Sequence, residues 1–427
     1  MADLVKKIIM MKLAFLAGVY IRFKKIEIVA ITGSAGKTTT KTTIKQILPA
    51  SLVYVPEEAY NTEYGVPLAL FREKVPTNPR NLAAWTVVLL KMFFKLFSPA
   101  PFRRIVLEYG ADKSGDISYL MSFAHPHIAI VTSVLPVHLE GFGTVEAVAA
   151  EKSKLVECLH KEDFAILNSE NEYVLAMAEV TKARVLTVGQ KGASLGYSLI
   201  RYDEKGMSLN IYWKNKEYQV KIPVLAPQLL PSYLSALALG LILGENPKDL
   251  VERLASIKSE RGRMNILPGI NESTIIDDSY NSNPESAKAA LRVLEKFSGR
   301  KIAVLGSMNE LGDYSKKGHT EVGELAAEIA DELLVVGEVA SKLLYPVAAK
   351  KMNKDFIHKF ASSKEAGEYL QDKLKKGDII LFKGSQNGVF TEEAVKSVLL
   401  EPQKAADLLV RQGSMWQNKK GKLWETL

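Results

Sequence analysis

The chain has 427 residues, more than one compact core accommodates, so two or three domains are expected. Its 47% hydrophobic and 24% charged residues are a globular balance, which excludes wholesale disorder, collagen and coiled coil. The single cysteine, Cys158, removes any disulfide framework or cysteine-based zinc site and points to a reducing, cytoplasmic compartment. The net charge of +8 favours anionic partners.

Residues 1–25 superficially resemble a signal peptide, but they lack a small-residue cleavage site and run straight into a strand. The apolar stretch Leu13–Ile21 is far shorter than the ~20 residues a bilayer span needs. A second stretch, Leu82–Phe97, is broken by Lys91 and Lys95, which share one helical face. Both read as amphipathic helices. They are expected to pack on the protein's own core, Leu13, Phe15 and Leu16 against Val88, Phe93 and Phe94. The alternative is peripheral membrane attachment aided by Lys6, Lys7, Arg22, Lys24, Lys25, Arg103 and Arg104.

From Glu27 onward, short apolar runs alternate with helical spacing: 27–33, 103–110, 127–134 and 163–169 read as strands of a parallel sheet. Residues 195–222 alternate instead and turn at Glu204-Lys205-Gly206 and Lys214-Asn215, which predicts an antiparallel patch. Leu229–Leu243 reads as a buried helix and Lys258–Arg263 as a linker. A second βα series follows at 274–281, 301–307, 332–337 and 378–385. The predicted fold class is therefore α/β. An amphipathic segment over 1–25 precedes a central phosphate-loop domain over 26–258 and a Rossmann-like domain over 261–400. The tail 401–427, with Trp416 and Trp424 among lysines, offers no clear element.

The first strand leads into Gly33-Ser34-Ala35-Gly36-Lys37-Thr38-Thr39-Thr40 and then a helix. Glycines let backbone N–H groups converge on phosphate oxygens, Lys37 reaches the terminal phosphates, and the Thr38 hydroxyl suits Mg²⁺. Two residues separate the glycines here, where the general phosphate-loop pattern has four.

This loop resembles that of the Mur ligase family. Further motifs resemble it in order: 61–67 (NTEYGVP), 107–111 (LEYGA), 138–143 (HLEGFG), Gly262-Arg263, 277–283 (DDSYNSN), 308–312 (MNELG) and Lys383-Gly384-Ser385. HLEGFG with DDSYN is most similar to the MurF branch, whose members add D-alanyl-D-alanine to a muramoyl-tripeptide. The resemblance implies an ADP-forming ligase using ATP and two Mg²⁺, with a muramoyl-peptide and D-Ala-D-Ala as partners and no nucleic acid. It implies nucleotide contacts from Gly33, Ser34, Ala35, Gly36, Lys37, Thr38 and Thr39, and from Arg263, Asp278, Tyr280 and Asn283 in the second domain. Closure of that domain would complete the site.

The resemblance also implies metal contacts from Thr38, Glu108, His138 and a carbamylated Lys152. Lys37, His138 and Lys152 are the implied catalytic residues. Lys154 competes with Lys152 for the carbamate role. Asn309, Glu310, His319, Lys383 and Ser385 are candidates for the incoming amine's site. Three departures from the family pattern stand out. Only 32 residues precede Gly33, too few for the family's UDP-binding domain, so the sugar end is expected to be held otherwise or replaced by a lipid-linked precursor. Pro231-Ser232 occupies the place of an adenine-side His-Asn pair, and Gln386 that of an arginine. A polyglutamate-type ligase and a non-catalytic nucleotide-binding scaffold remain the rival readings.

Overall fold

A computed structural model describes residues 2–57, 60–76, 78, 81–136 and 139–424, apart from the side chains of 2, 3, 139, 140, 422 and 424. His138 lies outside the described residues. β1 (Glu27–Thr32) is buried along nearly its whole length, as a central strand of a covered parallel sheet must be. It lies between β2 (Arg104–Glu108) and β3 (Ile128–Val131), and β4 (Phe164–Asn168) and β5 (Arg184–Gln190) extend the sheet beyond β3. β6 (Leu195–Asp203), β7 (Gly206–Trp213) and β8 (Lys216–Ile222) complete the order β2-β1-β3-β4-β5-β6-β7-β8. Two-residue turns join β6 to β7 and β7 to β8. Lys214 and Asn215 both have positive φ, the backbone that matches a tight hairpin to strand twist. β5 went unrecognised in the sequence because its apolar residues neither alternate nor run continuously.

α1 (Ala2–Lys24) precedes β1. α2 (Lys37–Ile47), α3 (Gly65–Phe71), α4 (Leu82–Lys95), α5 (Asp116–Phe123), α6 (Leu139–Phe142) and α7 (Val145–Glu157) fall between the strands. Two compact units divide the chain. The first takes 1–200, 208–222 and 229–257; the second takes 201–207, 223–228 and 258–427.

In the first unit, α1 buries Ile9, Leu13, Ala17, Tyr20 and Ile21 in the same core as Trp85, Val88 and Met92 of α4. The expected packing of Phe15, Phe93 and Phe94 against one another's helix is corrected here. Phe15 is 71% exposed, Phe94 65% and Phe93 46%. A helix turns 100° per residue, so Leu13 and Phe15 cannot both face the core.

The second unit holds a sheet of order β13-β12-β11-β14-β10-β9, built from β9 (Asn265–Pro268), β10 (Thr274–Asp278), β11 (Lys301–Gly306), β12 (Glu332–Val336), β13 (Ile357–Phe360) and β14 (Ile379–Lys383). All pairings are parallel except that of the edge strand β9. The tail, unreadable in sequence, is anchored by buried charge. Arg411 donates from Nε and Nη2 to the two carboxylate oxygens of Glu392, at 2.8 and 2.7 Å. Lys420, fully buried, lies 2.9 Å from Glu392 Oε1 and 2.6 Å from Glu393 Oε1. Lys420→Ala should therefore destabilise the second unit by about 3 kcal/mol or more, because it strands buried carboxylates. Faster amide exchange in the helix Glu392–Val398 would report it; unchanged exchange there would disprove the anchoring role.

Candidate active site

β1 lies beside both β2 and β3, so the chain leaves it at a point where neighbouring connections diverge, the place where open α/β sheets generally bind ligands. Residues 33–36 occupy that point. Gly33 and Gly36 have φ of 148° and 87°, values that favour glycine. Space excludes a side chain as well: a Cβ on Gly33 would lie 1.9 Å from Thr132 Oγ1, and one on Gly36 2.5 Å from Ser232 Oγ. The loop is tied to the end of β3, where Ser34 N donates to Ser133 O at 2.8 Å and Ala35 N to Ser133 Oγ at 2.9 Å.

α2 then starts at Lys37, presenting first-turn N–H groups and the positive end of its dipole. Lys37 Nζ donates to Gly33 O, so the cation rests on the loop that would hold a phosphate. Among the described residues, the buried Thr39 hydroxyl has no hydrogen-bond partner, which leaves a polar atom unmatched beside this cradle.

β2 delivers Glu108 to the same edge. Its carboxylate is 2% exposed, accepts from Thr38 Oγ1 at 3.2 Å and pairs with buried Lys41 at 2.9 Å. A hydroxyl and a carboxylate in contact fit Mg²⁺, which takes one or two carboxylates, keeps several waters and completes its shell with phosphate oxygens. Among the described residues, no three His, Cys, Asp or Glu side chains gather as a self-sufficient metal cage.

Lys152, on α7, is 3% exposed. Burial, reinforced by the Lys37 ammonium, pushes its amine down to about 7, while Glu151 and Asp112 oppose the shift. Glu151 is held by the backbone N–H groups of Gly115 and Ile117, at 3.0 and 2.8 Å. Lys154, the competing candidate, is instead ion-paired with Glu151 at 2.6 Å and partly exposed.

In the second unit, Arg263 stacks over the Tyr280 ring, 4.2 Å from its centroid, and pairs with Glu260 at 3.4 Å. Asp278 accepts from Met264 N at 3.2 Å and pairs with buried Lys383 at 2.5 Å. Its neighbour Asp277 is fully buried, and burial pushes that carboxyl up to about 6. Asn283 caps the helix Pro284–Leu294 by accepting from Ser286 N.

The amine-site candidates are largely occupied with structural work. Ser385 Oγ accepts from Asn309 N at 2.9 Å. His319 is fully buried; its Nε2 accepts from Met308 N and its Nδ1 donates to Ser315 O, and burial lowers its pKa. It is a packed histidine, which corrects its place among residues facing a substrate.

The phosphate loop, Glu108 and Lys152 thus come together in the first unit, and Arg263, Asp278 and Tyr280 in the second. Sequence reading missed Lys41, although it stands one helical turn beyond Lys37 and Thr38 and so shares their face. It also missed Thr132 and Ser133, for which no local signal exists.

Comparison with known proteins matches both parts of the chain to domain families. Residues 31–240 match the Mur ligase middle domain, and residues 262–386 match the family's C-terminal domain, described as "Mur ligase, glutamate ligase domain". The UDP-N-acetylmuramoyl-tripeptide--D-alanyl-D-alanine ligase of Bacillus subtilis is 28% identical over 393 residues, covering 91% of this chain and 79% of that protein. The same-named ligase of Rickettsia prowazekii is 28% identical over 372 residues, covering 85% and 76%. The crystal structure of MurF from Thermotoga maritima in complex with ADP superposes with a TM-score of 0.72 at 26% identity, covering 93% of this chain and 84% of that one. With both domain types matched in order over most of its length, the chain belongs to the Mur ligase family.

Proposed function

We propose that this protein is an ATP-dependent, ADP-forming ligase of the MurF type that adds D-alanyl-D-alanine to a muramoyl-tripeptide. The observation that carries the reading is the convergence of the glycine cradle, the Thr38–Glu108 pair and buried Lys152 at one sheet edge. The similarity to ligases named for that reaction supports the choice of substrates.

Joining a carboxylate to an amine at neutral pH requires activation. The carboxylate attacks the terminal phosphorus of ATP, giving an acyl phosphate and ADP; the amine then attacks the acyl carbon, loses a proton and expels phosphate. Lys37 would exchange the Gly33 carbonyl for phosphate oxygens, and the N–H groups of the loop and of α2 would hold the remaining charge. Thr38 and Glu108 would hold Mg²⁺, which supplies charge neutralisation at the phosphates when bound. In the second unit, Arg263 suits a phosphate, while Asp278 suits a hydroxyl.

Lys152 is proposed to act as a carbamate. A buried lysine whose pKa is pushed down to about 7 sheds its proton far more readily than a solvated one, and a neutral amine adds CO₂ to become an anion. Peripheral membrane contact belongs to the same reading and rests on separate observations.

ADP release with UDP-N-acetylmuramoyl-tripeptide and D-alanyl-D-alanine, against glutamate and against ATP alone, tests the function. Release with glutamate but not the dipeptide would replace this reading with a polyglutamate-type one. Lys37→Ala should lower turnover by about a hundredfold or more without unfolding the chain. Near-normal ADP production by that variant would refute the phosphate-loop role.

Lys152→Ala should lose most activity and regain part of it with short-chain carboxylates that replace the anion. An equally active Lys152→Arg would exclude the carbamate. Because the folded amine protonates below about pH 7, activity should fall through that range and respond to added bicarbonate. A pH profile flat from 6 to 8 would contradict the assignment.

A further inference from the structure

A surface helix packed on a core normally turns a polar face to solvent. α1 does not. Opposite its buried face, Leu4, Ile8, Met11, Phe15, Val19 and Phe23 recur every three or four residues and are 37–71% exposed. α4 packs beside α1 and repeats the pattern: below buried Trp85, Val88 and Met92 it exposes Val87, Leu90, Phe93 and Phe94, and Phe97 follows just past its end. Two neighbouring helices thus each expose an apolar stripe of a kind that soluble monomers rarely leave uncovered.

We propose that the α1–α4 face seats this protein on an anionic lipid bilayer. Charge identifies the occupant. Exposed Lys7, Lys12, Arg22, Lys25 and Lys91 border the aromatic and aliphatic stripe, whereas α4 contains no acidic residue and α1 only Asp3. A basic rim around an apolar face complements anionic headgroups over acyl chains, and a helix of this composition lies in the interface. No helix among the described residues is long and apolar enough to cross a membrane.

The face also has a position relative to the chemistry. α1 turns sharply into β1 through Lys25, so its N-terminal end lies toward the phosphate-loop edge of the sheet. There Lys6 Nζ is 3.9 Å from Glu63 and lies over the Tyr64 ring. Asn61 O, in the same segment, accepts from Gly110 N at 3.0 Å, two residues past Glu108. A bilayer under α1 and α4 would thus lie on the side of the unit that carries the 61–64 segment packed beside the end of β2.

The inference rests on the peripheral-membrane part of the proposed function and not on the ligase chemistry, so binding is measured on the parent chain and on Lys37→Ala alike. Both should co-sediment with phosphatidylglycerol/phosphatidylcholine vesicles at low salt, less so at 0.5 M salt, and weakly with phosphatidylcholine alone. Phe15→Glu with Phe94→Glu should cut partitioning at least tenfold while leaving the circular dichroism spectrum unchanged, since both side chains already face outward. Lys7→Glu, Lys12→Glu and Lys91→Glu together should do the same on anionic vesicles.

No binding at low salt would overturn the proposal, as would equal binding by the variants. Equilibrium sedimentation supplies the remaining outcome: a dimer dispersed by Phe15→Glu and Phe94→Glu, with no vesicle binding, would make this face a contact between two copies of the chain.

Discussion

Where β1 passes into α2, no side chain beyond hydrogen fits at Gly33 or Gly36, and the groups that occupy the space come from distant sequence. Thr132 and Ser133 arrive from the end of β3, and Ser232 from the helix Leu230–Ile242. Thr132 is itself held through its carbonyl, which accepts from Asn168 at the end of β4 at 2.8 Å. The cradle is therefore the meeting point of several strand ends and a helix. Its shape survives only if the sheet order is right, because the hydrogen bonds that shape it cross from strand to strand.

The same edge concentrates ionisable groups in a place that resists charge. Buried Lys41 stands 2.9 Å from the Glu108 carboxylate, so removing the lysine would take a counter-charge from a buried carboxylate. Lys152, on α7, is buried under different influences. Burial and the Lys37 ammonium push it toward the neutral amine, while Glu151 is engaged by backbone N–H groups and by Lys154.

Departures from the usual partition of residues recur elsewhere. The second unit buries Arg411, Lys420, Glu392 and Lys383 at the base of the 277–283 loop, and Arg411 also donates to the carbonyls of Ser279 and Tyr280 at 2.7 and 2.8 Å. The first unit exposes large apolar side chains along α1 and α4. Burying paired charge fixes a loop that must keep one geometry; exposing apolar surface invites a partner that is not part of the chain.

Much of this was legible in the sequence. The apolar runs of β1 to β4 and of β10, β11, β12 and β14 announced two parallel sheets, because strands buried on both faces are apolar throughout. Glycine, lysine and threonine at 33–38 announced the tight turn from β1 into α2, because two of its positions need the backbone freedom of glycine. The edge strands β9 and β13, and β5 with its mixed pattern, were not legible, since a half-covered strand has no continuous run to display. Nor were Lys41 beside Glu108, the burial of Lys152, or the buried anchors of the tail. Those depend on which groups lie within a few ångströms after folding, a distance that sequence spacing does not encode. The direction in which Phe15 and Phe94 face belongs to the same class: helical periodicity sets Leu13 and Phe15 apart, but only the position of the core decides which of them is buried.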